Sequence, residues 1–231
     1  DFHTNTNAAL AAGSPTWLLR LAGVGPGTEY AGLHAEAYES AALLDAQGQP
    51  LTPKLDGSDV WPIGEENPQE GAPASPRVTF EDAYVLPREG GGIVWVGHGK
   101  GSIRLRATYP GDDIRAVIHD PVLVLPISAD RTRIEHGMLG GTLDTDELVG
   151  EIGRVFGFFT DLNGESLCPP NNTYESIVQQ VSQTSDMLSG GAVNLDKECD
   201  RISIGIAFDA VPAALGAVTK APPLVDPCAG K

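Results

Sequence analysis

Asp161, Asn163 and Glu165 come nearest, by type and spacing, to a metal site in this chain. In Asp161-Leu162-Asn163-Gly164-Glu165 three oxygen-bearing side chains alternate on a tight turn, which is how a hard cation such as Ca2+ is held. The run departs from the twelve-residue calcium loop. Glycine does not stand at the sixth position, and the twelfth is Asn172 rather than a bidentate glutamate. The sequence requires no cofactor; if an ion is held here it is Ca2+, with Asp161, Asn163 and Glu165 as its ligands. The competing reading is a helix-ending turn that needs no ion.

The histidines are the second source of chemistry. His34, Glu36 and Tyr38 share one face of a strand, and a histidine beside a carboxylate can ligate a metal or share a proton. A solvated strand face explains the same spacing. His98 lies between Gly97 and Gly99, where a hairpin tip would expose it. Asp1-Phe2-His3 could enclose Cu(II) or Ni(II) through its α-amine, two amides and imidazole if Asp1 is the true N-terminus, and chance placement is the simpler account. Asn171-Asn172-Thr173 matches the N-glycosylation sequon, which matters only in a eukaryotic secretory pathway. The sequence contains no G-x-S-x-G, H-E-x-x-H or Walker A pattern. A hydrolytic site would have to be assembled by folding, around His34, His98 or His119.

Three cysteines allow one disulfide with one thiol over. Cys168 and Cys199 bracket a helical pattern, so the expected bridge is Cys168–Cys199, with Cys228 unpaired or tied to another chain. No C-x-x-C occurs, which excludes a zinc ribbon or a thioredoxin-type motif.

These residues must be positioned by a scaffold made mostly of short apolar runs between turns. Gly 28 and Pro 18 favour turns over long helices. Strands are expected at Trp17 to Leu21, Tyr30 to Leu44, Val60 to Ile63, Arg77 to Val85 and Ile93 to Val96. Gly97 to Gly101 is read as a hairpin turn, returning along Ile103 to Tyr109. Ile114 to His119, Val122 to Ile127, Arg133 to Leu143 and Ile202 to Phe208 complete the set. Two helices are expected, from Thr145 to Phe158 with an Asp144/Glu147 capping box, and from Thr173 to Leu188 capped by Asn172. The fold class is therefore mainly β, an antiparallel sandwich or flattened barrel. It is read as one domain over 1–231 with a helical element at about 144–190.

The net charge of -16 repels phosphate backbones and argues against nucleic-acid binding. It permits cations or a basic partner, and solubility outside the cell is the simpler account. No apolar run approaches the roughly 20 residues that cross a bilayer, so no transmembrane segment is expected. The polar start, Asp1 to Asn5, reads as a processed or a trimmed terminus.

Three stretches carry a resemblance: Gly137-Met138-Leu139-Gly140-Gly141-Thr142-Leu143, Asp146-Glu147-Leu148, and Cys199-Asp200-Arg201-Ile202-Ser203-Ile204-Gly205-Ile206-Ala207-Phe208. Over the C-terminal half, from about His119, the chain resembles uncharacterised secreted proteins and lipoproteins of myxobacteria and related bacteria. The resemblance implies an envelope or extracellular location and no particular reaction. The expected function is a secreted or cell-surface binding or structural protein without catalysis, with a protein partner or self-assembly into an extracellular complex. The alternative is a secreted hydrolase built on the scattered histidines. Two histidines converging with a carboxylate in one cleft would favour the enzyme.

Overall fold

The computed structural model describes residues 2–25, 30, 32–65, 73–109, 112–160, 164, 166–189, 196–221 and 225–229. It is mainly β, with a seven-stranded antiparallel sheet that curls on itself and a second, two-stranded sheet. The large sheet comprises β1 (Trp17–Ala22), β2 (His34–Glu39), β4 (Val78–Pro87), β5 (Ile93–Tyr109), β6 (Asp112–Ile127), β7 (Ile134–Asp144) and β8 (Arg201–Ala210), hydrogen-bonded in that order. The small one pairs β3 (Val60–Glu65) with β9 (Ala214–Lys220) in parallel. Three helices accompany them: α1 (Phe2–Ala11), α2 (Thr145–Phe156) and α3 (Asn172–Ser182).

Side chains on successive strand residues alternate between faces, and here the inner set forms the main core. Ala35, Phe80, Trp95, Ile118, Leu123 and Leu125 are sealed from solvent there. Phe80 and Trp95 meet edge to face at 6.3 Å between centroids. Two contacts join the β1–β2 end of the sheet to the far part of β5. Trp17 Nε1 donates to the Arg104 carbonyl at 2.9 Å, and Arg106 Nη2 lies 2.6 Å from Glu39 Oε1. Glu39 is buried, so its charge requires such a partner.

The outer face is covered at one corner. Leu18 and Tyr38, opposite each other on β1 and β2, pack with Leu43, Trp61 and Ile63 in a second core beneath β3. Leu10 of α1 adds to it.

Two expected interruptions in the sheet are bulges in continuous strands. Gly97 to Gly101 makes no hairpin: β5 runs through it, with a register shift against β6 between His98 and Ser102. The glycines serve close approach instead. A Cβ on Gly99 would lie 2.8 Å from both Pro121 Cγ and Val78 Cγ1, and Gly101 holds φ 114. Asp120-Pro121 likewise lies inside one 16-residue strand, β6.

The helices depart from expectation at their ends. Asp144 caps α2 by accepting from the amides of Asp146 and Glu147. The Glu147 carboxylate does not close a capping box, because it binds His119 Nε2 at 2.7 Å. α2 ends at Phe156, since Gly157 meets the chain's C-terminal tail; a Cβ there would come within 2.6 Å of Pro227 Cγ. α3 is capped by Asn171 rather than Asn172 and stops at Ser182, where the Ser- and Thr-rich run offers the backbone competing partners.

The disulfide joins Cys168 to Cys228, and Cys199 is an exposed free thiol. This corrects the expected Cys168–Cys199 pairing. Cys168 precedes α3 whereas Cys199 leads into β8, and an 11-residue helix holds its ends about 16 Å apart. The tail instead returns to α2. Arg154 forks onto Glu151 at 2.9 and 2.7 Å and donates through Nη1 to the Val225 carbonyl at 3.0 Å. Glu151 also accepts the Arg115 amide from β6, so one buried cluster ties tail, helix and sheet together.

Candidate functional site

Asp161, Asn163 and Glu165 lie outside the described residues, as does Asp1; the side chains of Phe2 and His3 do too. Among the described residues no group of three His, Cys, Asp or Glu side chains is placed to hold a metal ion.

The three histidines considered for a hydrolytic site, His34, His98 and His119, divide into two places. β2 presents His34, Glu36 and Tyr38 on one face, as its alternation requires, but their partners differ. The Tyr38 hydroxyl donates to Glu36 at 2.8 Å, and Arg20 reaches the same carboxylate at 3.4 Å. Burial and the neighbouring Glu36 carboxylate raise the pKa of the Tyr38 phenol. His34 Nδ1 is instead 2.9 Å from the Gly32 carbonyl.

The sheet register adds a neighbour that the sequence did not suggest. Ala35 opposes Phe80, which places His34 alongside Glu81, and Glu81 opposes His98. Two histidines thus flank one carboxylate across three strands. Glu81 is already engaged by Lys100, whose ammonium holds the carboxyl below the usual carboxylate range, with a smaller contribution from His34. This row sits on the open sheet face, not in a cleft. His119 is elsewhere, paired with Glu147 beside a crevice of Arg115, Val117, Leu143, Asp144 and Leu148 that admits little more than a water molecule. The Arg201 guanidinium, next to it, binds Asp120 at 2.8 Å and the Thr142 hydroxyl at 3.1 Å.

The broadest feature that sequence reasoning missed is apolar. On the outer face of β4–β8 one cross-strand row reads Tyr84, Val96, Val124, Met138, Ala207. A second row is Leu86, Val94, Pro126, and a third runs from His98 through Val122 and Gly140 to Gly205. Tyr84, Leu86 and Met138 are 48, 50 and 52% exposed. Antiparallel sheets with one solvated face normally carry polar residues there. The signal was present in the uninterrupted apolar runs Ile93-Val94-Trp95-Val96 and Val122 to Leu125, which supply both faces at once.

Comparison with protein-family models, with curated proteins and with solved structures found no match to the chain.

Proposed function

We propose that this is a secreted or cell-surface binding or structural protein, without catalysis of its own, that presents the outer face of its large sheet to a protein partner. The apolar row from Tyr84 to Ala207 carries the reading. Tyr84 and Met138 stand half exposed in that row although Val96 between them is buried, and an apolar surface of this kind, rimmed by charge, is a usual mark of an interaction site. The Cys168–Cys228 bridge supports an oxidising compartment. Among the described residues no helix is long and apolar enough to cross a membrane. The resemblance to secreted and lipid-anchored bacterial proteins points to the same location. A hydrolase would use the row His34, Glu81, His98, and there the carboxylate is held by Lys100 on an open surface rather than in a cleft.

The chain's two methionines provide the test. Met138 lies in the apolar rows, 52% exposed and opposite Ala207, whereas Met187 bridges to Arg201 at the other end of β8, 36% exposed. Hydroxyl-radical footprinting is to be run on the protein in its native extracellular or envelope fraction and on the purified protein. Met138 should be oxidised several-fold less in the native fraction, with Met187 unchanged. Equal oxidation of Met138 in both preparations would defeat the proposal.

A further inference from the structure

We infer that the outer face of β4–β8 receives a protein whose contact surface is apolar and flanked by lysine and arginine; this rests on the binding reading above and names the partner's chemistry. The first argument is area. With strands about 4.8 Å apart and alternate residues about 6.8 Å apart, the three rows, which span five, three and four strands, cover on the order of 400 Å². A stable interface takes about 800 Å² from each partner, so the rim must contribute about as much as the apolar rows do. The rim is mostly acidic. Asp82, Glu89, Asp130, Glu135 and Asp209 are exposed around it, against Arg88, Lys100 and Arg133. Lys100 pairs with Glu81 and Arg133 with Glu135 at 3.0 Å, which leaves Asp82, Glu89, Asp130 and Asp209 against Arg88. Hydrogen bonds from Ser128 and Thr132 hold the Asp130 carboxyl down at about 2, so it stays charged.

The same charge decides against other occupants. A second copy would bring an identical acidic rim and another -16 to the interface. An anionic lipid surface would be repelled in the same way. A basic, apolar partner satisfies both the rows and the rim, and the long-range field would steer it to this chain.

The test uses the full chain and three synthetic peptides: alternating leucine–lysine, alternating leucine–glutamate, and glycine–lysine. Binding is read by fluorescence anisotropy, for the wild type and for Tyr84→Ser/Met138→Ser. Both changed side chains are about half exposed, so the fold should survive, and an unchanged melting temperature checks this. The expected result is saturable binding of leucine–lysine alone, weakened about tenfold in the double variant. Glycine–lysine binding as tight as leucine–lysine would overturn the inference, because charge alone would suffice. Equal or tighter leucine–glutamate binding that the double variant weakens would overturn the partner's charge while leaving a binding face. A dimer in sedimentation, or binding to anionic vesicles, that the double variant abolishes would assign the face to a second copy or a membrane and overturn it too. If no probe responds to the double variant, the face is not a docking surface and the binding reading falls with it.

Discussion

The two faces of the large sheet are built from the same kinds of residue and meet different surroundings. Inside, Phe80, Trp95, Leu123 and Leu125 are fully enclosed by the curl, with Leu148 of α2 packed against that core. Outside, Tyr84, Leu86 and Met138 are equally apolar and half exposed. The difference shows that apolar composition alone does not place a residue in the core. The curl and α2 close the inner face, whereas β3 covers only the outer corner over β1 and β2. Stability should therefore depend on the inner set and association on the outer one.

The largest expected effect tests that division directly. Trp95→Ala removes a sealed ring and its edge-to-face partner contact with Phe80, and should cost about 3–5 kcal/mol in chemical denaturation. Met138→Ala, on the other face, should fall within about 0.5 kcal/mol. If the two variants lose similar stability, the outer face is part of a core and the comparison fails.

The disulfide comes next, because the tail it anchors holds α2 in place over the inner face. The bridge closes residues 60 apart in sequence, for which chain entropy gives about 4 kcal/mol. Cys168→Ser/Cys228→Ser should approach that loss, while Cys199→Ser should leave stability unchanged. Without reductant, iodoacetamide should modify Cys199 alone; a peptide map joining Cys199 to either other cysteine would contradict the bridge.

A finer comparison uses two glycines on neighbouring strands. A Cβ at Gly141, facing inward, would collide with Ile118 and come within 2.7 Å of the His119 carbonyl. Gly205, facing outward, has nothing within 4 Å. Gly141→Ala should cost about 1–3 kcal/mol, and Gly205→Ala should be neutral or slightly stabilising. Equal thermal shifts in the two variants would show that the faces do not differ in packing.

Much of this sheet was legible from alternation. Ile202, Ile204, Ile206 and Phe208 face the core as their period requires, and Asp144 caps α2. What escaped was set by contacts distant in sequence. Gly97 to Gly101 has the composition of a hairpin turn, yet Phe80, Val78 and Pro121 crowd it into a bulge. Cys228 meets Cys168 where the tail returns to α2, with Arg154 bound to the Val225 carbonyl. β9 has too few large apolar residues to declare itself, and its parallel pairing with β3 joins segments far apart in the chain. The row His34, Glu81, His98 depends on which strands become neighbours, which no local pattern encodes. Of the predicted calcium ligands, Asp161, Asn163 and Glu165, none falls among the described residues.

The smallest effect concerns the Arg201 end of β8, the last strand of the large sheet. Met187 bridges to Arg201 there, and two carboxylates hold the covering segment. Asp186 accepts the Ser203 hydroxyl and, at 2.7 Å, its amide; Asp200 accepts the Ser189 hydroxyl and, at 2.6 Å, its amide. In each case the serine hydroxyl, then the serine amide, pulls the carboxyl below the ordinary aspartate value. A depressed folded pKa contributes stability that is complete above the unfolded value, about 3.9, and is lost as pH falls through the folded one. Between pH 7 and 5 the edge should thus stay covered. On further acidification the protection factors of the Ser189 and Ser203 amides should fall in hydrogen exchange. The Thr132 amide, held by Asp130 with its carboxyl at about 2, should keep its protection to lower pH. Asp186→Asn removes the titration but keeps an oxygen for the Ser203 amide, so that amide should lose its pH dependence while Ser189 keeps it. Both carboxylates are exposed, so global stability should barely move. Unfolding of the whole sheet in the same pH window would show instead that the edge is integral to the core and that its covering segment has no separate role.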